Sequence, residues 1–416
     1  MTSQFENEPL DVAATVPDAQ TPVTVVRFLY TAAACAILGA IFAAISSADF
    51  ISHLDRQVHS IHCSVLPGAG ATIGESGCRT AMMSPYSSLF RTAIWGGLPI
   101  SLLALAVYSY MSVRIFLSAR RKQVTRTETG FLVVGSALPF LMSIIYGTIS
   151  VVEVGAICSV CAAIYVVSLV MFVAVILAHR NTERRPNVFS QKSAYTTWFL
   201  QGCAYVIGIV LVYFMFAPQS DKVMEGCGKL VRTKARKGVL IPYIENKAGT
   251  PAITVLDPLC PACRAFENRL EISGMQKRLN LSVLLFPLDS SCNWMVDQAL
   301  HPGACAVSEA ILCAPGQIDE IMTWAFSKQE ELMDIAKKDE KKLRALLKES
   351  FPKTKACLGT SKVRSRLNKS LRWAVSNAIP VLTPQLFIRD KRVCDEDTDL
   401  GLEYTLAQML SAGGQK

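Results

Sequence analysis

The sequence predicts an α-helical membrane bundle followed by a soluble α/β domain. Apolar residues make up 51% of the 416-residue chain, and before residue 217 they gather in five runs, each near the ~20 residues that cross a bilayer core. Beyond about residue 220 the pattern changes to short β-type runs alternating with helical stretches. The 14 cysteines are many for a reducing compartment and indicate an oxidising one.

Residues 1–24 are polar and mildly acidic, contain Pro17 and Pro22, and are expected to be a disordered tail. No basic segment or small-residue cleavage site stands out there, so no removed signal peptide is read. The apolar runs cover roughly 25–47, 92–113, 130–150, 158–178 and 196–217. Only a few residues join the third to the fourth, which predicts a helical hairpin. Arg114, Arg120, Arg121, Lys122 and Arg126 lie between spans two and three, and Arg180, Arg184, Arg185 and Lys192 between spans four and five. The positive-inside rule places both loops in the cytoplasm. The N-terminus is then cytoplasmic, while residues 48–91, the turn before Cys158 and everything after 217 lie outside. This layout divides the chain into a tail (1–24), a four-helix core (25–180), a basic loop with a fifth span (181–219) and an outside domain (220–416). The net charge of +9 fits a membrane protein: its basic residues occupy inter-span loops and one late helical stretch, without interleaved aromatics. No nucleic-acid partner is expected.

Within the outside domain, "GVLIPYI", "AITVLD" and "LSVLLFPLD" read as strands, and "CPACRAFENRLEIS" as a helix entered directly from the second of them. Residues 296–376 hold much Ala, Leu, Lys and Glu and few β-branched runs, so they should be mostly helical. "QLFIRD" is a late strand and "LGLEYTLAQMLSA" a closing helix.

The layout puts three cysteine pairs on one side of the membrane. They are Cys63 with Cys78 in the first outside loop, Cys158 with Cys161 at the outer end of span four, and Cys260 with Cys263 in "DPLCPACRAF". Thiol–disulfide exchange needs a thiolate to reach a disulfide sulfur directly, so this co-location suits a relay. Cys158 and Cys260 each open an expected helix, where free amide groups and the positive end of the macrodipole stabilise a thiolate. Such placement lowers a thiol pKa from about 8.5 toward roughly 3.5–7.5. The second cysteine of each pair should lie deeper and be less exposed. A stabilising disulfide is a poor alternative for Cys158–Cys161, because neighbours on one helix close almost no loop.

Cys35 and Cys203 lie inside spans and are expected to be buried thiols. Cys227, Cys292, Cys305, Cys313, Cys357 and Cys394 are candidates for structural bridges with 15 connectivities open, and "CNWMVDQALHPGAC" suggests Cys292–Cys305 as a local one. His53, His59 and His62 crowd the first loop, but their spacing fits no zinc pattern, so no metal is expected.

Two resemblances follow from quotable residues. "AIPVLTPQLFIRD" places Thr383 and Pro384 before a strand far downstream of the Cys-x-x-Cys. This resembles the cis-proline loop of thioredoxin-fold proteins, and the helical insertion resembles the larger disulfide oxidoreductases of that fold. The membrane part resembles the vitamin K epoxide reductase family. "CRTAMMSPYSSLF" gives Cys78, five residues, then Ser84; "WGGLPISLLALAVY" gives a Gly-x-Pro entry to span two at Pro99; "CSVCAAIY" places Tyr165 four residues after Cys161. As a whole the chain resembles bacterial members of that family fused to a thioredoxin-like domain. Cys63 and Cys78 are 14 residues apart, farther than is usual in the family, across a Gly-rich stretch that lets the pair close.

The resemblance implies a thiol:quinone oxidoreductase in the bacterial inner membrane, with its thioredoxin-like domain in the periplasm. It implies catalytic roles for Cys63, Cys78, Cys158, Cys161, Cys260 and Cys263. Thr383 and Pro384 would meet the thiol substrate, and Cys161 and Tyr165 the quinone, ubiquinone or menaquinone. The implied partners are membrane lipid, the quinone and reduced exported proteins. Two other readings stay open: the same relay serving quinone or quinone-epoxide reduction, and a non-catalytic membrane redox sensor. Tyr165 also has a plainer reading as an interfacial aromatic.

Overall fold

The computed structural model describes residues 21–54, 81–154, 157–183, 191–217, 227–394 and 400–411. Cys63, Cys78, His59 and His62 lie outside the described residues. Among the described residues five helices are long and apolar enough to cross a membrane, and they anchor a membrane protein. They are α1 (Val23–Leu54), α2 (Ile100–Ala119), α3 (Arg126–Ile149), α4 (Ser159–Asn181) and α5 (Gln191–Phe216).

The second span starts at Ile100, later than the expected 92. Gly96 and Gly97 take positive φ (66° and 78°) and Pro99 follows, so residues 92–99 turn before the helix can begin. Conversely α1 runs on to Leu54, and α3 continues as a π-helical turn over Ser150–Val154.

The described residues fold as two units, the first drawn from Met1–Ala44, Leu103–Ile149 and Cys161–Leu211. Its core lines one stripe of each helix: Val25, Leu29, Ala32, Ala33 and Ala36 on α1; Tyr108, Met111 and Ile115 on α2; Met171, Ala174, Val175 and Ala178 on α4. The spacings of three, four and seven put each set on one face. Small residues let the backbones approach, which is what helix association in lipid requires. A Cβ at Gly39 would stand 2.6 Å from the Tyr108 ring. Large apolar residues such as Val134, Leu138, Ile145, Phe199 and Leu211 point outward and are exposed, as lipid contact demands. Cys35 and Cys203, expected to be buried, are half-buried.

The second unit comprises Ile45–Leu102, Ser150–Val160 and Val212–Lys416. Strands β1 (Ser88–Leu89) and β2 (Leu98–Pro99) form a small antiparallel pair. The main sheet has the order β3-β5-β4-β6-β7, built from β3 (Ile241–Ile244), β4 (Thr250–Leu256), β5 (Leu279–Leu285), β6 (Gln385–Ile388) and β7 (Lys391–Arg392). The central pair β4–β5 is parallel and the others antiparallel. Helix α6 (Pro261–Ile272) lies in the crossover between the parallel neighbours β4 and β5. The domain is thioredoxin-like, with an insertion between β5 and β6 of α7 (Ala304–Cys313), α8 (Ile318–Ser327), α9 (Gln329–Lys338), α10 (Glu340–Ser350) and α11 (Ser361–Ser376). Helix α12 (Leu402–Ser411) closes the chain.

Alternation along the strands builds two cores. Ala252, Leu281, Leu386 and Ile388 pack with Phe266 and Leu270 of α6 and Leu402 and Leu406 of α12. Ile253, Val255, Leu284 and Phe387 point the other way, onto Leu371 and Ala374 of α11. Each fully buried Leu, Val or Phe contributes roughly 1.5–3 kcal/mol. Three disulfides complete the domain: Cys292–Cys305, as expected, with Cys227–Cys394 and Cys313–Cys357.

The stretch between α1 and α2 packs within this second unit. Phe50, Leu54, Trp95 and Leu400 form a buried cluster, and Trp95 meets the Tyr404 ring edge-on at 5.9 Å. Beside it, Arg91 Nη1 donates to Glu403 Oε1 (3.3 Å) and Arg269 Nη2 to Glu403 Oε2 (3.0 Å), all three side chains being almost fully buried.

Candidate functional site

Asp257 follows directly on β4, and three residues later Cys260 caps α6 with extended backbone (φ −80°, ψ 119°). Pro261 supplies the fixed φ of the first helical position and has no N–H to satisfy. The helix therefore starts at the cysteine, and the backbone carbonyl of Cys260 accepts from Cys263 N (3.1 Å), Arg264 N (3.2 Å) and Gln329 Nε2 (3.0 Å). Cys260 is 4% exposed and Cys263 is sealed at 0%. Both are free thiols. Opposite them the Thr383–Pro384 peptide is cis, and Cys260 Sγ donates to Thr383 O at 3.7 Å.

The two thiols ionise unequally. Cys260 is pulled down to about 6, chiefly by its hydrogen bond with Cys263, then by the hydrogen bond at Thr383 and by the charge of His301, against the opposing effects of burial and of Asp257. Burial pushes Cys263 well above the ordinary thiol range, and the hydrogen bond to Cys260 adds to this. Near neutral pH the reduced pair is thus one thiolate and one thiol, an arrangement able to attack a disulfide and then resolve it.

The second pair sits at the start of α4. Cys158 stands one residue before the helix and Cys161 in its first turn. Cys158 is buried (6% exposed) and Cys161 half-buried, which reverses the expected order. Cys161, Tyr165 and Ser168 fall at i, i+4 and i+7 and share one face of α4. That face meets α3 where its side chains are small. Ser168 Oγ donates to Ser143 Oγ (2.9 Å), and a Cβ on Gly147 would lie 3.6 Å from the Tyr165 ring. Cys161 is covered less than Cys263, which is fully buried.

Residues 30–176 match the vitamin K epoxide reductase family. That stretch is a vitamin K epoxide reductase family domain. No curated protein sequence matches the chain. Two solved structures of Proteus mirabilis ScsC are similar to it. One, in a transitional conformation, is 15% identical, with 54% of this chain and 97% of that one covered and a TM-score of 0.28. The other, a linker-deletion variant, is 16% identical, with 55% and 100% covered and the same TM-score of 0.28.

The chain thus joins a stretch that matches the vitamin K epoxide reductase family to a domain with a thioredoxin-like sheet order. Of the residues named from the sequence, the fold brings Cys260, Cys263, Thr383 and Pro384 together, and sets Cys161 and Tyr165 on one face of the family domain. Ser84, from the family's loop pattern, is buried, and its carbonyl accepts from Arg91 Nη2 (2.6 Å). Sequence reasoning missed Asp257, His301 and Gln329. Only Asp257 left a signal, as a charged residue ending an apolar strand beside the Cys-x-x-Cys.

Proposed function

We propose that this chain is a membrane thiol:quinone oxidoreductase that sustains disulfide formation in exported proteins. Its thioredoxin-like domain would lie on the periplasmic side of a bacterial inner membrane. The observation that carries the reading is the buried Cys260–Cys263 pair at the start of α6, with Cys260 Sγ donating to Thr383 O, in one chain with a vitamin K epoxide reductase family domain that holds its own Cys-x-x-Cys.

In this scheme a substrate thiolate, held against Thr383 and Pro384, attacks Cys260 of the oxidised pair. The Cys260–Cys263 bond breaks and Cys263 takes the electron pair and a proton. The second substrate thiol then displaces Cys260, leaving the substrate disulfide. Reduced Cys260 attacks the Cys63–Cys78 disulfide at Cys63, Cys78 exchanges with Cys158, and electrons leave the protein at Cys161. Two electrons and two protons per disulfide pass to the quinone, which departs as quinol. Tyr165, one turn from Cys161, is the proposed hydrogen-bond donor to a quinone oxygen. The linkage of the two domains turns their encounter into an intramolecular one.

The test is to mix purified full-length protein with a reduced, unfolded secretory protein and ubiquinone or menaquinone, following thiols and quinone absorbance together. Loss of both is expected, and Cys161→Ala should stop quinone reduction. Thiols that persist while the quinone stays oxidised would sink the proposal. Full function in Cys161→Ala would favour a redox sensor. Cys263→Ala should accumulate a mixed disulfide between Cys260 and Cys63; trapping Cys78 would reverse the order of the loop pair.

A further inference from the structure

Asp257 is a fully buried carboxylate three residues before Cys260. Its Oδ1 accepts from Leu259 N (2.7 Å), and its Oδ2 accepts from Leu288 N (2.7 Å) and from His301 Nδ1 (2.8 Å). The imidazole comes from a distant loop that is fixed on several sides. Leu288 O accepts from both Leu300 N (2.9 Å) and His301 N (3.1 Å), and His301 O accepts from Ala304 N (3.1 Å). Asp289 Oδ2 accepts from Gly303 N (2.9 Å), and the Cys292–Cys305 disulfide closes the segment. Gly303 adopts φ +93°, and a Cβ there would stand 2.6 Å from Leu343, so the turn after His301 has one shape.

Two anions in one buried site, the Asp257 carboxylate and a Cys260 thiolate, repel each other and need a compensating cation. We propose that His301, anchored by Asp257, is the positioning residue that keeps Cys260 a thiolate in the reduced protein. The groups facing this imidazole are Asp257 directly after β4, Asp289 from the loop after β5 and Cys260 from the start of α6. All three favour its charged form and together they outweigh its burial. The charge in turn favours the Cys260 anion, both as nucleophile and as leaving sulfur. When Cys260 attacks a disulfide, its new S–S bond forms as the partner bond breaks and the electron pair leaves on the partner sulfur. Cys263 then loses its proton, bonds to Cys260 and expels the second partner sulfur. The pair ends oxidised and the partner reduced by two electrons.

This inference rests on the thiol-exchange reading above, but its test does not use the quinone. In full-length reduced protein, alkylation of Cys260 by iodoacetamide is followed against pH by mass spectrometry. The wild-type midpoint should fall near 6. His301→Asn keeps a donor for Asp257 but carries no charge, and should move the midpoint up by about one unit, cutting alkylation at pH 6 by roughly five-fold. His301→Lys should recover most of the loss. An unchanged profile in a folded His301→Asn protein overturns the proposal. A second measurement needs no variant: deuterium exchange at the imidazole C2 gives the His301 midpoint directly. By reciprocity it should be higher in the reduced protein than in the oxidised one, and equal values would also overturn the proposal. A protein that fails to reduce quinone yet shows these shifts refutes the oxidase reading alone.

Discussion

Glu267 sits one turn beyond Cys263 on α6, and neither of its carboxylate oxygens has a hydrogen-bond partner among the described residues. Burial, then the charges of Glu271 and Asp319, push its carboxyl up to about 8. An unfolded glutamate titrates near ~4.3, so between those values the folded chain holds the extra proton. The contribution is fully present below the unfolded value and is lost as pH rises through the folded one. Glu267→Gln mimics the protonated form. It should be near neutral at pH 4 and stabilise on the order of 3–5 kcal/mol at pH 8, read as the shift in urea unfolding at the two pH values. Equal effects at both would show that the carboxyl does not fold neutral. The same scale shows what a sequence discloses. Cys260, Cys263 and Pro384 were legible because their chemistry is local: a two-residue gap at a helix start, and a Thr-Pro before a strand. His301 was not, because it meets Asp257 across 44 residues of chain with no spacing rule.

At the level of elements, the strands were legible from period-two alternation, and the insertion from its helical composition. The start of α2 was misjudged because apolar content outran backbone sense: Gly96 and Gly97 turn the chain inside an apolar run. Cys292–Cys305 was legible as a local bridge, whereas Cys227–Cys394 and Cys313–Cys357 need tertiary knowledge. Cys313–Cys357 spans 44 residues and pins the end of α7 to the segment before α11, while Cys292–Cys305 spans 13. Chain-entropy arguments give about 4 and about 3 kcal/mol for loops of these lengths. Paired Cys→Ser replacements should therefore lower stability in that order in chemical unfolding. Their chemical effects should be opposite in rank. Releasing Cys292–Cys305 frees the loop that carries His301 and should raise the pH midpoint of Cys260 alkylation, whereas releasing Cys313–Cys357 should leave it in place. A shift from the second alone would uncouple the loop from the thiol.

Across the whole molecule, one carboxylate holds two guanidinium groups that lie far apart in the chain. Glu403 pairs with Arg91, 312 residues earlier, and with Arg269 of α6. Nothing in either local sequence announces this, since each residue reads alone as an ordinary charge on a loop or helix. Glu403→Gln would remove the buried charge that both guanidinium groups share, at a cost of about 3–5 kcal/mol. Trypsin offers a direct readout: the bond after Arg91 should resist cleavage in the wild type and become cleavable in the variant, and equal resistance would show that the ion pairs do not hold this segment. A different feature sets where the sheet domain begins. Cys227 is fastened through Cys227–Cys394 and through Cys227 N donating to Arg392 O. The first strand of the main sheet starts only at Ile241, fourteen residues later. The sulfur pair thus makes residue 227, and not the first strand, the mechanical beginning of the domain, so that a pull on the chain there is borne by the far edge of the sheet at Cys394.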